Sequence, residues 1–474
     1  MSTETTRTVI ILSGTVHEAV EDKISAKDYV YKRRSLNSSV ENWAKIVTLI
    51  QNLRNSKILI AILAYFTEET LFYTSDKYFD EHWPYILDEI TKGPSLIFIY
   101  EDNLSGTFSR ITEKENQIQD LESKNALQSS LFRTPQAEEE YYRRKIEEER
   151  ESLAQLKVAA TRIHSLYKAI YDRNIEVVPY RKRAEINIRA QDFIDEVEGG
   201  VFLRLYIPNG KYQAEQFASI LRLFENYLQT VEGRPILIET RKTQNGVVYI
   251  FRDKDQIINA EEFQHTYNRF EGFMELTQRN SKEAEVILQR LGMKPINAFS
   301  LVSKYAKECT RLKLDAKYEE ERKLLEIKYR FQNELLEITD GDATRITQAI
   351  QLPSVFSLSN NTGPITITLS NLSASDSAVI ESIVQQEVNG GVIYTSEDNQ
   401  LIGLFNKYAD TLAAVALKSE LDQLKDTSLP TDERKTAKQR ITGFLYKVGQ
   451  VASDVGVNVL TTYLEKLLTG QTTP

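Results

Sequence analysis

Three short, unbroken apolar runs constrain the start of this chain more than any other feature. Thr8-Val-Ile-Ile-Leu-Ser13, Ile58-Leu-Ile-Ala-Ile-Leu-Ala64 and Ser95-Leu-Ile-Phe-Ile-Tyr100 are too short for typical helices and too continuous for strands with one wet face. Runs of this kind form strands covered on both faces, as in a parallel sheet. Between the first two, Trp43, Ile46, Val47, Leu49, Ile50 and Leu53 recur at helical spacing, with Ser38 or Ser39 available as a cap. A further helical stretch, Asp80 to Lys92, ends at Gly93-Pro94. Tyr29-Val-Tyr31 is the candidate for a second strand. Strands alternating with helices predict a small parallel-sheet α/β domain over residues 1–106.

The texture then changes. Tyr142, Ile146, Leu153, Leu156, Ala160, Ile163, Leu166 and Ile170 keep a spacing of three or four, with several intervals of seven, amid dense Glu, Lys and Arg. This predicts a long helix with one apolar seam, part of a helical hairpin or coiled coil over 107–173 with its break near Thr134-Pro135. Residues 175–255 read as strand, helix and hairpin. Ile175–Val178 and Val201–Ile207 are strands, Phe217 to Val231 lie on one helical face, and two further strands meet across Asn245-Gly246. Residues 260–338 read as helical. Thr339–Gly363 reads as a linker, followed by a strand at Ile365–Leu369 and helices to the end, Leu401–Leu424 forming one stretch.

The expected fold is therefore α/β plus α. Its parts are the domain at 1–106, long charged helices at 107–173, a second small α/β unit with helices at 174–338, a linker at 339–363 and a helical C-terminal association module at 364–474. At roughly 100–200 residues per domain, 474 residues agree with several domains.

Composition excludes several kinds of chemistry. The one cysteine, Cys309, rules out an internal disulfide and a thiolate zinc site, and reads as apolar filler. His17, His82, His164 and His265 form no HxH or HxxxH pair, so no metal site is expected. A lone thiol, a polar start and the lack of any long apolar run predict a cytoplasmic protein that does not span a membrane. A net charge of −9 argues against nucleic-acid binding; Lys32-Arg33-Arg34 and Arg181-Lys182-Arg183 read as solvated basic faces.

No GxxxxGK[ST], strand-linked GxGxxG, GxSxG or HExxH occurs. Ser13-Gly14-Thr15, following the first strand, stands where a nucleotide would bind on a parallel sheet and is also an ordinary turn. The first domain's carboxylate candidates are Glu81, Asp88, Glu89 and Glu101.

The strand Thr8–Ser13, the helix ending at Leu53, the strand Ile58–Ala64, Trp83 followed by an acid and the strand Ser95–Tyr100 together resemble a TIR-like or related nucleotide-handling α/β domain. The resemblance implies NAD cleavage, with Glu89 as the catalytic acid; Pro84 and the longer Trp83-to-Glu89 spacing depart from the family pattern. The C-terminal segment from Pro364–Leu369 to Val448-Gly-Gln-Val-Ala-Ser-Asp-Val-Gly-Val-Asn-Val-Leu460 is similar in texture to terminal modules of bacterial antiphage-defence proteins, which implies self-association or partner docking. The expected function is a defence-associated interaction or scaffold protein that self-assembles as a homo-oligomer or recognises a protein partner through helical faces. The alternatives are an NAD- or nucleotide-cleaving effector and a nucleic-acid-binding component.

Overall fold

The computed structural model describes residues 7–13, 18–25, 29–56, 58–66, 83–131, 136–173, 175–180, 183–212, 214–234, 236–253, 260–334, 340–352, 366–367, 374–451 and 456–470. The chain divides into two compact units, residues 1–197 with 442–457, and residues 198–441 with 458–474.

In the first unit, β1 (Arg7–Ser13), α1 (Glu18–Ser25), β2 (Val30–Arg34), α2 (Val40–Asn55), β3 (Leu59–Phe66), α3 (Trp83–Thr91), β4 (Ser95–Tyr100), α4 (Glu101–Leu131), α5 (Gln136–Asp172), β5 (Val177–Tyr180) and α6 (Arg183–Gly199) follow in order. The strands form one parallel sheet in the order β2-β1-β3-β4-β5. Alternate residues serve opposite layers. Ile10, Leu12, Ile62, Ala64, Ile97 and Ile99 pack with Trp43, Ile46 and Ile50 of α2, with α3, and with Leu166, Tyr167 and Ile170 of α5. Val9, Ile11, Leu63, Leu96 and Phe98 pack with Val20 and Ile24 of α1 and Ile186, Ala190 and Phe193 of α6. Coverage on both faces is why these strands are apolar throughout.

β2 forms one edge of the sheet and carries Lys32-Arg33-Arg34 there, where charge discourages pairing with another chain. The other edge is β5, and it differs from the sequence expectation. Ile175–Val178 reads as the start of the second α/β unit, yet Val177–Tyr180 pairs with Ile97–Tyr100. The long hairpin of α4 and α5 is thus an insertion within the β4-to-β5 crossover. The last turns of α5 do the work of an ordinary crossover helix by covering the sheet. Along the hairpin, Arg150 reaches Glu122 at 2.6 Å, Lys157 reaches Glu115 at 2.7 Å and Lys114 pairs with Glu149, so the helices run antiparallel. Its tip, with Thr134-Pro135, lies outside the described residues.

The second unit contains β6 (Val201–Pro208), α7 (Ala214–Thr230), β7 (Ile236–Lys242), β8 (Gly246–Asp253), α8 (Ala260–Arg279), α9 (Ser281–Arg290), α10 (Pro295–Glu334), α11 (Asp340–Gln348), β9 (Ile350–Gln351), β10 (Thr366–Ile367), α12 (Ala374–Val388), α13 (Ser396–Tyr408), α14 (Thr411–Lys425), α15 (Thr431–Val451) and α16 (Val457–Thr469). From Thr442 on, α15 belongs to the first unit, as does Val457.

β6, β8 and β7 form an antiparallel sheet in that order. Leu203, Leu205, Tyr249 and Phe251 on one face pack against Phe217, Phe224 and Leu228 of α7, Phe263, Tyr267 and Phe270 of α8 and Val302, Tyr305 and Cys309 of α10. Cys309 is buried there, and burial pushes its thiol pKa up, as suits a packing residue.

Two expectations change in detail. Asp340–Gln348 is helical and Ile350–Gln351 pairs with β10, so the described part of the segment read as a linker carries regular structure, while 353–363 lies outside the described residues. The stretch Leu401–Leu424 is two helices, because Asp410 accepts a hydrogen bond from the Ala413 N–H at 2.8 Å and caps a new start at α14.

Candidate functional site

Glu89 sits on the last turn of α3 and is buried. Arg54, from the last turn of α2, donates to Glu89 Oε2 at 2.7 Å and to the Glu89 carbonyl at 2.6 Å. Gln51 and Lys92 both donate to Oε1, at 2.9 and 2.6 Å. Burial raises the Glu89 pKa, but the Gln51 and Lys92 hydrogen bonds and the positive charges of Lys92 and Arg54 outweigh it and hold the carboxyl below its ordinary range. Both oxygens are therefore committed to fastening α2 to α3.

Chain direction puts this cluster far from the usual ligand edge. α2 ends just before β3 begins and α3 just before β4 begins, so Glu89 lies at the amino-terminal edge of the sheet. Open parallel sheets bind ligands beyond the carboxyl ends of their strands, where the order reverses. Here the reversal falls between β1 and β3. Ser13 is the last residue of β1, paired with Tyr65, at that edge. The structure puts Ser13 at the carboxyl edge of the sheet and Glu89 at the opposite one. Gly14, Thr15 and Glu81 lie outside the described residues. Asp88 is exposed and pairs with Arg173 at 2.7 Å, and Glu101 begins α4. Trp43 is a core residue whose Nε1–H donates to the Leu36 carbonyl at 2.9 Å. Among the described residues, no group of His, Cys, Asp and Glu could hold a metal ion.

A polar cluster in the second unit escaped the sequence reading. Lys418 and Asp422 occupy successive turns of α14, Lys211 follows β6, and Tyr394 precedes α13. The Tyr394 hydroxyl donates to Asp422 Oδ1 at 2.5 Å, and Lys211 Nζ stands 3.8 Å from Oδ2. Lys418 Nζ lies 5.5 Å from the centre of the Tyr394 ring. Burial, then the Lys211 charge, pulls the Lys418 amine down to about 8 against the partial support of Asp422. One turn along, Lys425 pairs with Asp398, which also accepts from Tyr463 and from the Thr395 N–H. Lys418, Lys211, Ser419 and Tyr206 line a cavity of about 30 Å³. That volume holds about one or two waters. The i,i+4 pair Lys418 and Asp422 was visible in the sequence, but nothing there distinguished it from the many exposed pairs.

The remaining feature is apolar. Among the described residues, eighteen large hydrophobic side chains are exposed, and nine of them fall between Val286 and Tyr329, on α9, α10 and the corner joining them. No family model matches this chain, and comparison with curated proteins and with solved structures returned no match.

Proposed function

We propose that this chain is an interaction protein that works by assembly through its helical faces. The concentration of exposed apolar side chains on α9 and α10 carries the reading, because patches of this kind on a folded protein are where partners bind. The hairpin of α4 and α5 supports it, since 31 and 37 residues of charged helix offer length rather than a pocket. The likeness of the C-terminal segment to association modules of defence proteins points the same way. Sedimentation velocity over a hundredfold concentration range tests the reading. A species heavier than one chain is expected, and a monomer throughout would overturn it.

One observation favours a second reading, a nucleotide such as NAD at the carboxyl edge of the first sheet. Ser13 ends β1 at the point where the strand order reverses. Incubation with NAD, followed by chromatography, tests it. Glu89→Gln then separates the two roles of that carboxylate. On the α2–α3 geometry any cleavage survives the substitution at a temperature where the variant is folded. Abolished cleavage would make Glu89 the acid.

A further inference from the structure

The small cavity in the second unit carries a charge that its own walls do not balance. Lys211, in the turn after β6, and Lys418, on α14, both line it, beside Tyr206, Tyr212 and Ser419. Among the described residues that line it, none is a carboxylate. The acid that acts on Lys418 is Asp422, one turn further along α14 and outside the cavity wall. Its Oδ1 accepts from Tyr394, and its Oδ2 is 3.8 Å from Lys211 Nζ. Asp426 is engaged elsewhere, accepting from the Tyr206 hydroxyl, Asn245 and Ser428. Two amines and one carboxylate therefore leave a single positive charge.

That charge is buried. Lys418 is 8% exposed and Asp422 1%. A buried charge without its counterpart is costly, and it is relieved either by losing the proton or by taking in a counter-ion. Burial and the Lys211 charge pull the Lys418 amine down only to about 8, so it is still charged at neutral pH. The cavity wall suits a counter-ion. Ammonium groups donate and cannot accept. The Ser419 oxygen accepts from the Tyr206 N–H, which leaves the hydroxyl proton to be donated. A volume of about 30 Å³ matches an occupant little larger than a water molecule.

We infer that this cavity binds one small monovalent anion of the size of chloride, held by the Lys211 and Lys418 ammonium groups and the Ser419 hydroxyl. The anion brings the local charge to zero without removing a proton, and it ties α14 to the turn after β6. The site stands apart from the assembly reading, which concerns exposed surface. Anion binding and the Lys418 proton support each other, so binding weakens as the pH rises through about 8. The other groups around Lys418 stay as they are across that window. Burial raises the Tyr394 and Tyr206 hydroxyls well above their ordinary range, and Lys425, on the Tyr394 ring, is paired with Asp398.

Thermal melts of the full chain test this, with sodium chloride replacing sodium gluconate at constant ionic strength near pH 6.5. Lys418→Met supplies the baseline, because it carries any general effect of exchanging the salts. Relative to that baseline, the wild-type melting temperature is expected to rise by about 2–4 °C and to level off as chloride increases. Bromide should act in the same way, Lys211→Met should follow the baseline, and the wild-type rise should vanish near pH 9.5. A wild type that tracks Lys418→Met at pH 6.5 overturns the site. A rise that persists undiminished near pH 9.5 overturns the part played by the Lys418 charge, and with it the inference.

Discussion

At Glu89, Gln51 and Arg54 of α2 and Lys92 just past α3 converge on one buried carboxylate. Removing one partner of a buried ion pair leaves the other uncompensated. Glu89→Gln is therefore expected to cost about 2–4 kcal/mol, read from chemical denaturation. The pH dependence has a definite sign. Because the folded pKa lies below that of the unfolded chain, Glu89 contributes its full stability above about pH 4.3 and loses it as the pH falls through the folded value. The acid-side loss should be shallower in Glu89→Gln; identical acid limbs would contradict this account. Lys418 behaves oppositely. Its folded pKa of about 8 lies below the unfolded value of about 10.4, so the buried charge costs stability below pH 8, and the cost disappears as pH rises through that window. Lys418→Met should raise the melting temperature at pH 7 and leave it unchanged near pH 10.5. A lower melting temperature at pH 7 would show that the Tyr394 and Asp422 contacts outweigh burial. At Gly246 the sequence identified the turn for an incomplete reason. Asn-Gly suggests positive φ, yet Gly246 is not among the glycines in that region. A Cβ there would lie 2.4 Å from the Tyr206 ring, which is buried and fixed by its hydroxyl's 2.7 Å bond to Asp426.

At the scale of elements, the same kind of close approach ties α15 to the first sheet. A Cβ on Gly443 would lie 2.3 Å from the Val177 carbonyl, so the helix crosses β5 where only glycine fits. Gly443→Ala should lower the melting temperature by several degrees, because the obstructing atom is backbone and cannot rotate away; an unchanged melt would show that the helix can shift. The apolar strands β1, β3 and β4 were legible because burial on both faces writes itself into every residue. The hairpin was legible from the spacing of Ile146, Ala160 and Ile163. The membership of β5 was not, because 76 residues separate it from β4 and local pattern carries no pairing partner. The break between α13 and α14 was missed because apolar spacing continues across it, while the feature that ends one helix and starts the next is the Asp410 cap. The Glu89 cluster was hidden for a related reason. Gln51, Arg54 and Lys92 are unremarkable until two chain segments place them around one carboxylate.

For the whole molecule, the described residues contain a small cavity, no candidate metal cluster and no helix long and apolar enough to cross a membrane. What they do contain is a long helix with a second, exposed apolar side. Net charge of −9 opposes close approach of two copies, so added salt should strengthen any self-association through an apolar surface. We propose that copies of this chain associate through the exposed apolar side of α10. Light scattering on the intact chain over a concentration series should then show a mass that rises from 54.5 kDa toward twice that value, and that is lower at each concentration for Tyr318→Glu with Leu325→Glu. A wild-type mass fixed at 54.5 kDa at every concentration would contradict it.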